Sequence, residues 1–171
     1  MANKKFIWTA ALLVSFHWAG AANAAFTTGG YCVGGPPNAT DGVSTDDVSL
    51  NGNDSSNCYG VVDIGGDVEN EIDNINDLGW GTYNTTNFLK DDSAGSDSDS
   101  FLGLNWTLAA DNGSGSGNWT LTVVDPNPGT APDLPITIDI IAFMKAGQPG
   151  AFFFFDDVVI DLANTGVFSI S

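Results

Sequence analysis

The chain has 171 residues, with no arginine, a single histidine (His17) and only four lysines, against 21 acidic side chains and a formal charge of −17. Lys4, Lys5 and His17 all precede the first acidic residue, Asp41, so loss of an N-terminal segment would leave only Lys90 and Lys145 as cations. These scarcities exclude whole chemistries. Without arginine there is no bidentate clamp for phosphate or carboxylate. A lone imidazole builds neither a histidine relay nor a multi-histidine metal site. The strongly negative field repels nucleic acid and anionic lipid, so neither is expected as a partner. The only glutamates, Glu69 and Glu71, are two positions apart and point to different sides of any helix, which argues against a convergent glycosidase pair. No G-x-S-x-G elbow occurs, and a serine nucleophile would lack a base. Long apolar runs are missing too: Ile136 to Phe155 is interrupted by Asp139, Lys145, Gln148 and Pro149, so no membrane span is expected after the N-terminal segment.

What is present starts with an address. Lys4 and Lys5 form a short basic region, Phe6 to Phe16 is apolar, and Ala22-Asn23-Ala24 fits a small-residue cleavage site. Residues 1–24 therefore read as a secretory signal peptide, and 25–171 as the exported chain. Export gives the two cysteines a meaning, because in an oxidising compartment Cys32 and Cys58 are expected to form a structural disulfide. A bridge over a loop of that size stabilises by roughly 3 kcal/mol. Two thiolates without histidine do not complete a zinc site.

Residues 25–57 are rich in Gly, Asn, Asp, Ser and Pro and read as loops, with a short strand near Val48 to Leu50. Cys58 to Ile64 reads as a strand. Val68, Ile72, Ile75 and Leu78 then follow helical spacing up to Gly79, which predicts one short helix. From there the period is that of strands. Leu102, Leu104, Trp106 and Leu108 alternate with small or polar residues, as do Trp119, Leu121 and Val123, and Asp111 to Gly117 between them is a hairpin turn. Ile136, Ile138 and Ile140 resume the alternation, Ala151 to Phe155 is a continuous apolar strand, and Phe168 and Ile170 begin another. The expected fold is a mainly β, antiparallel, jelly-roll-like β-sandwich over 58–171 with one short α-helix. Val167 to Ile170 is expected to be an unpaired edge and a route to self-association.

Three clusters carry candidate chemistry. Asp91, Asp92, Asp97 and Asp99, spaced by serine and glycine, supply hard oxygen ligands of the kind calcium takes, although without EF-hand spacing; the competing reading is a solvated acidic loop. Asp156 and Asp157, near Asp161, are a weaker candidate and read as the solvated end of the aromatic strand. Trp80 and Tyr83 lie in a Gly- and Asn-rich stretch and are the candidates for an exposed glycan-stacking pair. Trp106 and Trp119 fall in register with apolar neighbours and read as core.

Several short motifs occur in a recognisable order: Gly52-Asn53-Asp54, Cys58-Tyr59-Gly60, Phe88-Leu89-Lys90-Asp91-Asp92, Gly117-Asn118-Trp119-Thr120-Leu121, Phe143-Met144-Lys145-Ala146-Gly147, Ala151 to Asp156, and Thr165-Gly166-Val167-Phe168-Ser169. This order resembles secreted proteins of Gram-negative bacteria that carry a PEP-CTERM sorting tag. The resemblance implies export to the cell surface or medium, association with extracellular polysaccharide or a biofilm matrix, and no catalytic residues. The tag's Pro-Glu-Pro motif, apolar stretch and basic tail do not occur before Ser171, so the sequence reads either as a fragment of a tagged protein or as a form released without an anchor. The expectation is thus a non-enzymatic surface or matrix protein, with a polysaccharide-binding module, helped by calcium, as the alternative.

Overall fold

A computed structural model of the chain describes residues 8–9, 30–31, 43–63, 72–81, 83, 89, 96–111, 116–130, 132–145 and 149–169. Two sheets account for most of them. The five-stranded sheet runs β1 (Trp8–Thr9), β9 (Ile136–Lys145), β10 (Pro149–Ile160), β5 (Asn57–Asp63), β2 (Gly30–Tyr31). The six-stranded sheet runs β4 (Asn53–Asp54), β3 (Val48–Leu50), β11 (Ala163–Ser169), β8 (Ser116–Val124), β7 (Leu104–Ala110), β6 (Ser96–Phe101). Every pairing is antiparallel except β1 with β9. Among the described residues there is one α-helix, α1 (Ile72–Asp77).

The inner faces of the two sheets share one apolar core, which makes the molecule the expected sandwich. Leu50, Trp106, Trp119, Leu121 and Phe168 come from the six-stranded sheet and meet Ile138, Ile140, Phe153, Phe155 and Ile160 from the other. The alternation read from the sequence is the alternation observed: β8 and β11 bury every second residue. Trp106 and Trp119 have 0% and 1% exposure, as their register predicts. Gly166 is opposite Trp119 in the β11–β8 ladder, and the indole lies where a Cβ on that residue would be. The close approach requires glycine.

The opposite face of the five-stranded sheet is also covered. Ile141 and Phe143 of β9 and Phe152 and Phe154 of β10 pack with Ile75 of α1 and with Tyr83 in a second apolar cluster. A strand with both faces covered reads as a continuous apolar run, which is why Ala151 to Phe155 shows no alternation.

Three expectations are corrected. The C-terminal strand is not an unpaired edge: β11 begins at Ala163 and lies between β3 and β8. The acidic stretch is not all loop, because Ser96–Phe101 forms β6, held to β7 residue by residue from Ser96↔Ala109 to Phe101↔Leu104. Asp156 and Asp157 do not end their strand, since β10 continues through them to Ile160. The helix is described only over its second half; Asp67, Glu69 and Glu71 lie outside the described residues.

Candidate functional site

The most concentrated polar chemistry lies where β10 breaks register with β9. Phe155 pairs with Ile140 and Val158 with Ile138, so Asp156 and Asp157 together oppose the single residue Asp139. This is a β-bulge, two residues against one, and bulges re-aim side chains. Asp157 adopts a left-handed backbone (φ 51°) and donates its N–H to Oδ1 of Asp139 at 2.9 Å. The result is a set of three carboxylates, Asp139, Asp156 and Asp157, each offering an oxygen within 4.8 Å of the others. Asp139 is buried at 8% exposure, while its two partners are exposed.

Burial pushes the Asp139 carboxyl above its ordinary value. The Asp157 N–H partly offsets that, and the charges of Asp156 and Asp157 and a side-chain hydrogen bond with Asp156 push the same way as burial. Tyr83 feels the same cluster: burial, then Asp139 and Asp156, drive its hydroxyl far above the usual tyrosine range. A neutral Tyr83 hydroxyl donates to the Trp80 carbonyl at 3.1 Å.

A cleft of about 450 Å³ opens beside the bulge, lined on one side by Asp156 and Asp157 and on the other by Asn51, Asn53, Asp54 and Ser56. Its far wall is built locally. Asn51 (φ 52°) and Gly52 (φ 77°) make the two-residue turn between β3 and β4, and Asn-Gly favours that left-handed pair. Asn164, 1% exposed, locks this turn to β11. Its amide donates to the carbonyls of Leu121 (3.1 Å) and Asp161 (2.8 Å), and its oxygen accepts from Asn51 Nδ2 (2.9 Å) and the Asp161 N–H (3.1 Å). Ser56 Oγ accepts the Asp156 N–H at 3.2 Å, which ties this wall to the bulge.

The arrangement offers oxygen ligands and hydrogen-bonding amides around a concave opening. A hard divalent cation or a polyhydroxylated ligand suits that chemistry. The residues singled out in the sequence are placed differently. Asp97 and Asp99 share one face of β6, each accepting the next residue's N–H, from Ser98 at 2.8 Å and Ser100 at 2.7 Å. They oppose Leu108 and Trp106, on the inward side of an edge strand. Asp91 and Asp92 lie outside the described residues. Tyr83 is not exposed: at 3% it is part of the second core, and only Trp80 is partly accessible, its ring stacked on Phe154 at 5.3 Å. Cys58 is fully buried and no free thiol occurs among the described residues, while Cys32 lies outside them. Among the described residues, Asp156 and Asp157 are the ones named from sequence that meet a third carboxylate. Their partner was missed, although an aspartate inside the Ile136 to Phe143 run was itself a signal of a paid-for buried charge.

No helix among the described residues is long and apolar enough to cross a membrane. The chain matches no protein-family model, no curated protein and no solved structure.

Proposed function

We propose that the chain is an exported, non-enzymatic component of a bacterial cell surface or extracellular matrix. One observation supports this reading above the others. Outside its apolar interior the six-stranded sheet presents short polar side chains, Asn118, Thr120 and Thr122 on β8 and Thr165 and Ser169 on either side of Val167 on β11. A strongly acidic, hydrated sandwich behind a cleavable leader suits a soluble life outside the cell. The resemblance to PEP-CTERM-tagged secreted proteins points the same way. Fractionation of the native culture tests it: the protein is expected in the medium or matrix, and recovery from the cytosol would overturn the reading.

Export carries a covalent corollary, the Cys32–Cys58 bridge. Tyr31 and Tyr59, the chain neighbours of the two cysteines, are cross-strand partners in the β2–β5 ladder. The exported product is expected to weigh two hydrogens less than its reduced form, and reduction is expected to cost roughly 3 kcal/mol of stability.

A second reading is favoured by the cleft: a polysaccharide-binding module, with calcium assisting. Asn51, Asn53, Asp54 and Ser56 offer the donors and acceptors that sugar hydroxyls need, and the bulge carboxylates stand beside them. Calcium bound to the folded state raises the melting temperature by mass action, about 2.7 kcal/mol at a hundred times its dissociation constant. A melt that is unchanged by calcium and by polysaccharide counts against this reading.

A further inference from the structure

Strand β9 is the last long strand of its sheet. Among the described residues its outer neighbour is β1, which lies parallel to it with Trp8 against Ile138 and Thr9 against Asp139. Trp8 and Thr9 belong to the segment read as a leader. In the full chain Ile140, Ile141, Ala142 and Phe143 have no exposure at all. Removing the leader takes away β1, the strand paired with Ile138 and Asp139 of this apolar strand, and an apolar edge without its neighbour is a template for another strand.

The two sheet ends differ in how they are guarded. At the six-stranded end, β6 turns Asp97 and Asp99 toward the inner side, a device that discourages strand addition. Strand β9 reads Ile-Thr-Ile-Asp-Ile-Ile-Ala-Phe-Met-Lys, and its one inward carboxylate, Asp139, is matched on the same strand by a residue of opposite charge, Lys145. Its only ionisable residues are Asp139 and Lys145, of opposite sign. Lys145 is the one lysine among the described residues, and it shares its strand with Asp139. The spacing of these two residues is self-complementary. When two copies of β9 pair antiparallel with Ala142 on the two-fold axis, Asp139 of each copy falls opposite Lys145 of the other. The incoming lysine position then meets the aspartate that already shares its surroundings with Asp156 and Asp157.

We propose that leader removal uncovers the β9 edge and that a second copy of this chain fills it, joining two five-stranded sheets into one through an isologous β9–β9 pair. A two-fold axis requires the antiparallel arrangement, and a closed pair uses up both edges, so the assembly stops at a dimer. The inference rests on the export reading, because the edge is vacated only if the leader is lost.

The test takes the protein expressed with its own leader and recovered after export. Intact mass reports whether residues 1–24 are gone, and sedimentation reports the assembly. The expected result is a leaderless dimer. Lys145→Asp and Asp139→Lys are each expected to raise the dimer dissociation constant roughly tenfold or more, by placing like charges opposite one another. Mixing the two variants is expected to restore the dimer, since both contacts of the mixed pair are again opposite in sign. Circular dichroism confirms that each variant is folded, and Lys145→Asp alone suffices if Asp139→Lys fails to fold. A leaderless monomer overturns this proposal while leaving export intact. A dimer indifferent to Lys145→Asp, or variants that do not complement, also overturns it. A retained leader overturns both readings, because the edge is then never vacated.

Discussion

In the six-stranded sheet, β8 and β11 alternate a buried residue with an exposed one along their whole length, whereas in the five-stranded sheet every residue from Ile138 to Met144 is buried. The strands are chemically alike, and the difference lies in how many faces are covered. One face of β8 looks into the shared core and the other into solvent. β9 and β10 have the shared core on one side and the cluster of Ile75, Tyr83, Phe152 and Phe154 on the other. Hydrophobic period therefore reports layers rather than strands, and the loss of alternation in Ala151 to Phe155 is itself the evidence for a third layer. Polar groups follow the same division. In the wet sheet they are on the outside by default; in the covered sheet a polar residue such as Asp139 must be accommodated among apolar neighbours.

The largest effect expected from this comparison is at Phe143, which faces away from the shared core. If that face is a true interior, Phe143→Ala costs about 3–5 kcal/mol, as a core phenylalanine does, and Thr122→Ala on the outward face of β8 changes stability by about 0.5 kcal/mol or less. Urea denaturation of the two variants decides it. A loss below about 1 kcal/mol at Phe143 would mean that the second cluster is a thin cover rather than a layer.

Next in size is Asn164, the buried polar exception in the wet sheet. Asn164→Leu keeps much of the volume but deletes the side-chain bonds to the Leu121 and Asp161 carbonyls and takes a partner from Asn51, at about 1–3 kcal/mol for a buried group left unpaired. The loss is expected to loosen the β3–β4 turn as well, so amide exchange should quicken at Asn51, whose N–H donates to the Thr165 carbonyl at 2.8 Å, and at Thr165, whose N–H donates to Asn51 Oδ1 at 3.2 Å. Gly166→Ala is expected to cost about 1–3 kcal/mol by forcing the Trp119 indole to move. That indole's N–H is buried without a partner, so the ring has no hydrogen bond holding it in place.

Most of the wet sheet was legible because alternation is local: Leu104 to Leu108 and Trp119 to Val123 announce a hairpin, and the structure has it as β7 and β8. Strand β6 was not legible, since Ser-Asp-Ser-Asp-Ser offers no apolar side and its place is set by the backbone ladder to β7. The candidate site was half legible. Asp156 and Asp157 could be seen as polar residues after an aromatic run, but Val158-Val159-Ile160 resumes that run, which was the sign of a bulge rather than an end. The convergence with Asp139 depends on a pairing between distant segments, and no local pattern reports a register shift. Tyr83 was misplaced because its Gly- and Asn-rich surroundings describe the loop and not the pocket that receives the ring; Asn76, which donates to the Tyr83 carbonyl and accepts its N–H, is what seats it.

The smallest effect expected is also the sharpest probe of the covered sheet. Asp139 has its carboxyl raised above the ordinary value of 3.8 by burial, so the folded state holds that proton more tightly than the unfolded chain does. The associated stability is fully present below that ordinary value and is lost as the pH rises through the raised one. Asp47, half of a capping interaction with the Ser44 N–H at 2.7 Å, is raised by burial as well and contributes in the same direction. Asp111 runs the other way, held low by the backbone and side chain of Asn118. A melting curve of the wild type against pH therefore mixes opposite signs, and the informative quantity is a difference. Asp139→Asn preserves an oxygen to accept the Asp157 N–H and removes the charge beside Asp156. It is expected to raise the melting temperature at neutral pH, with the gain shrinking toward zero as the pH falls through the carboxylate range. A matched Asp156→Asn on the exposed side of the same bulge is expected to give a smaller gain, because water already screens that carboxylate. Equal gains from both would show that repulsion among the three carboxylates, and not burial in a covered sheet, sets the cost at the bulge.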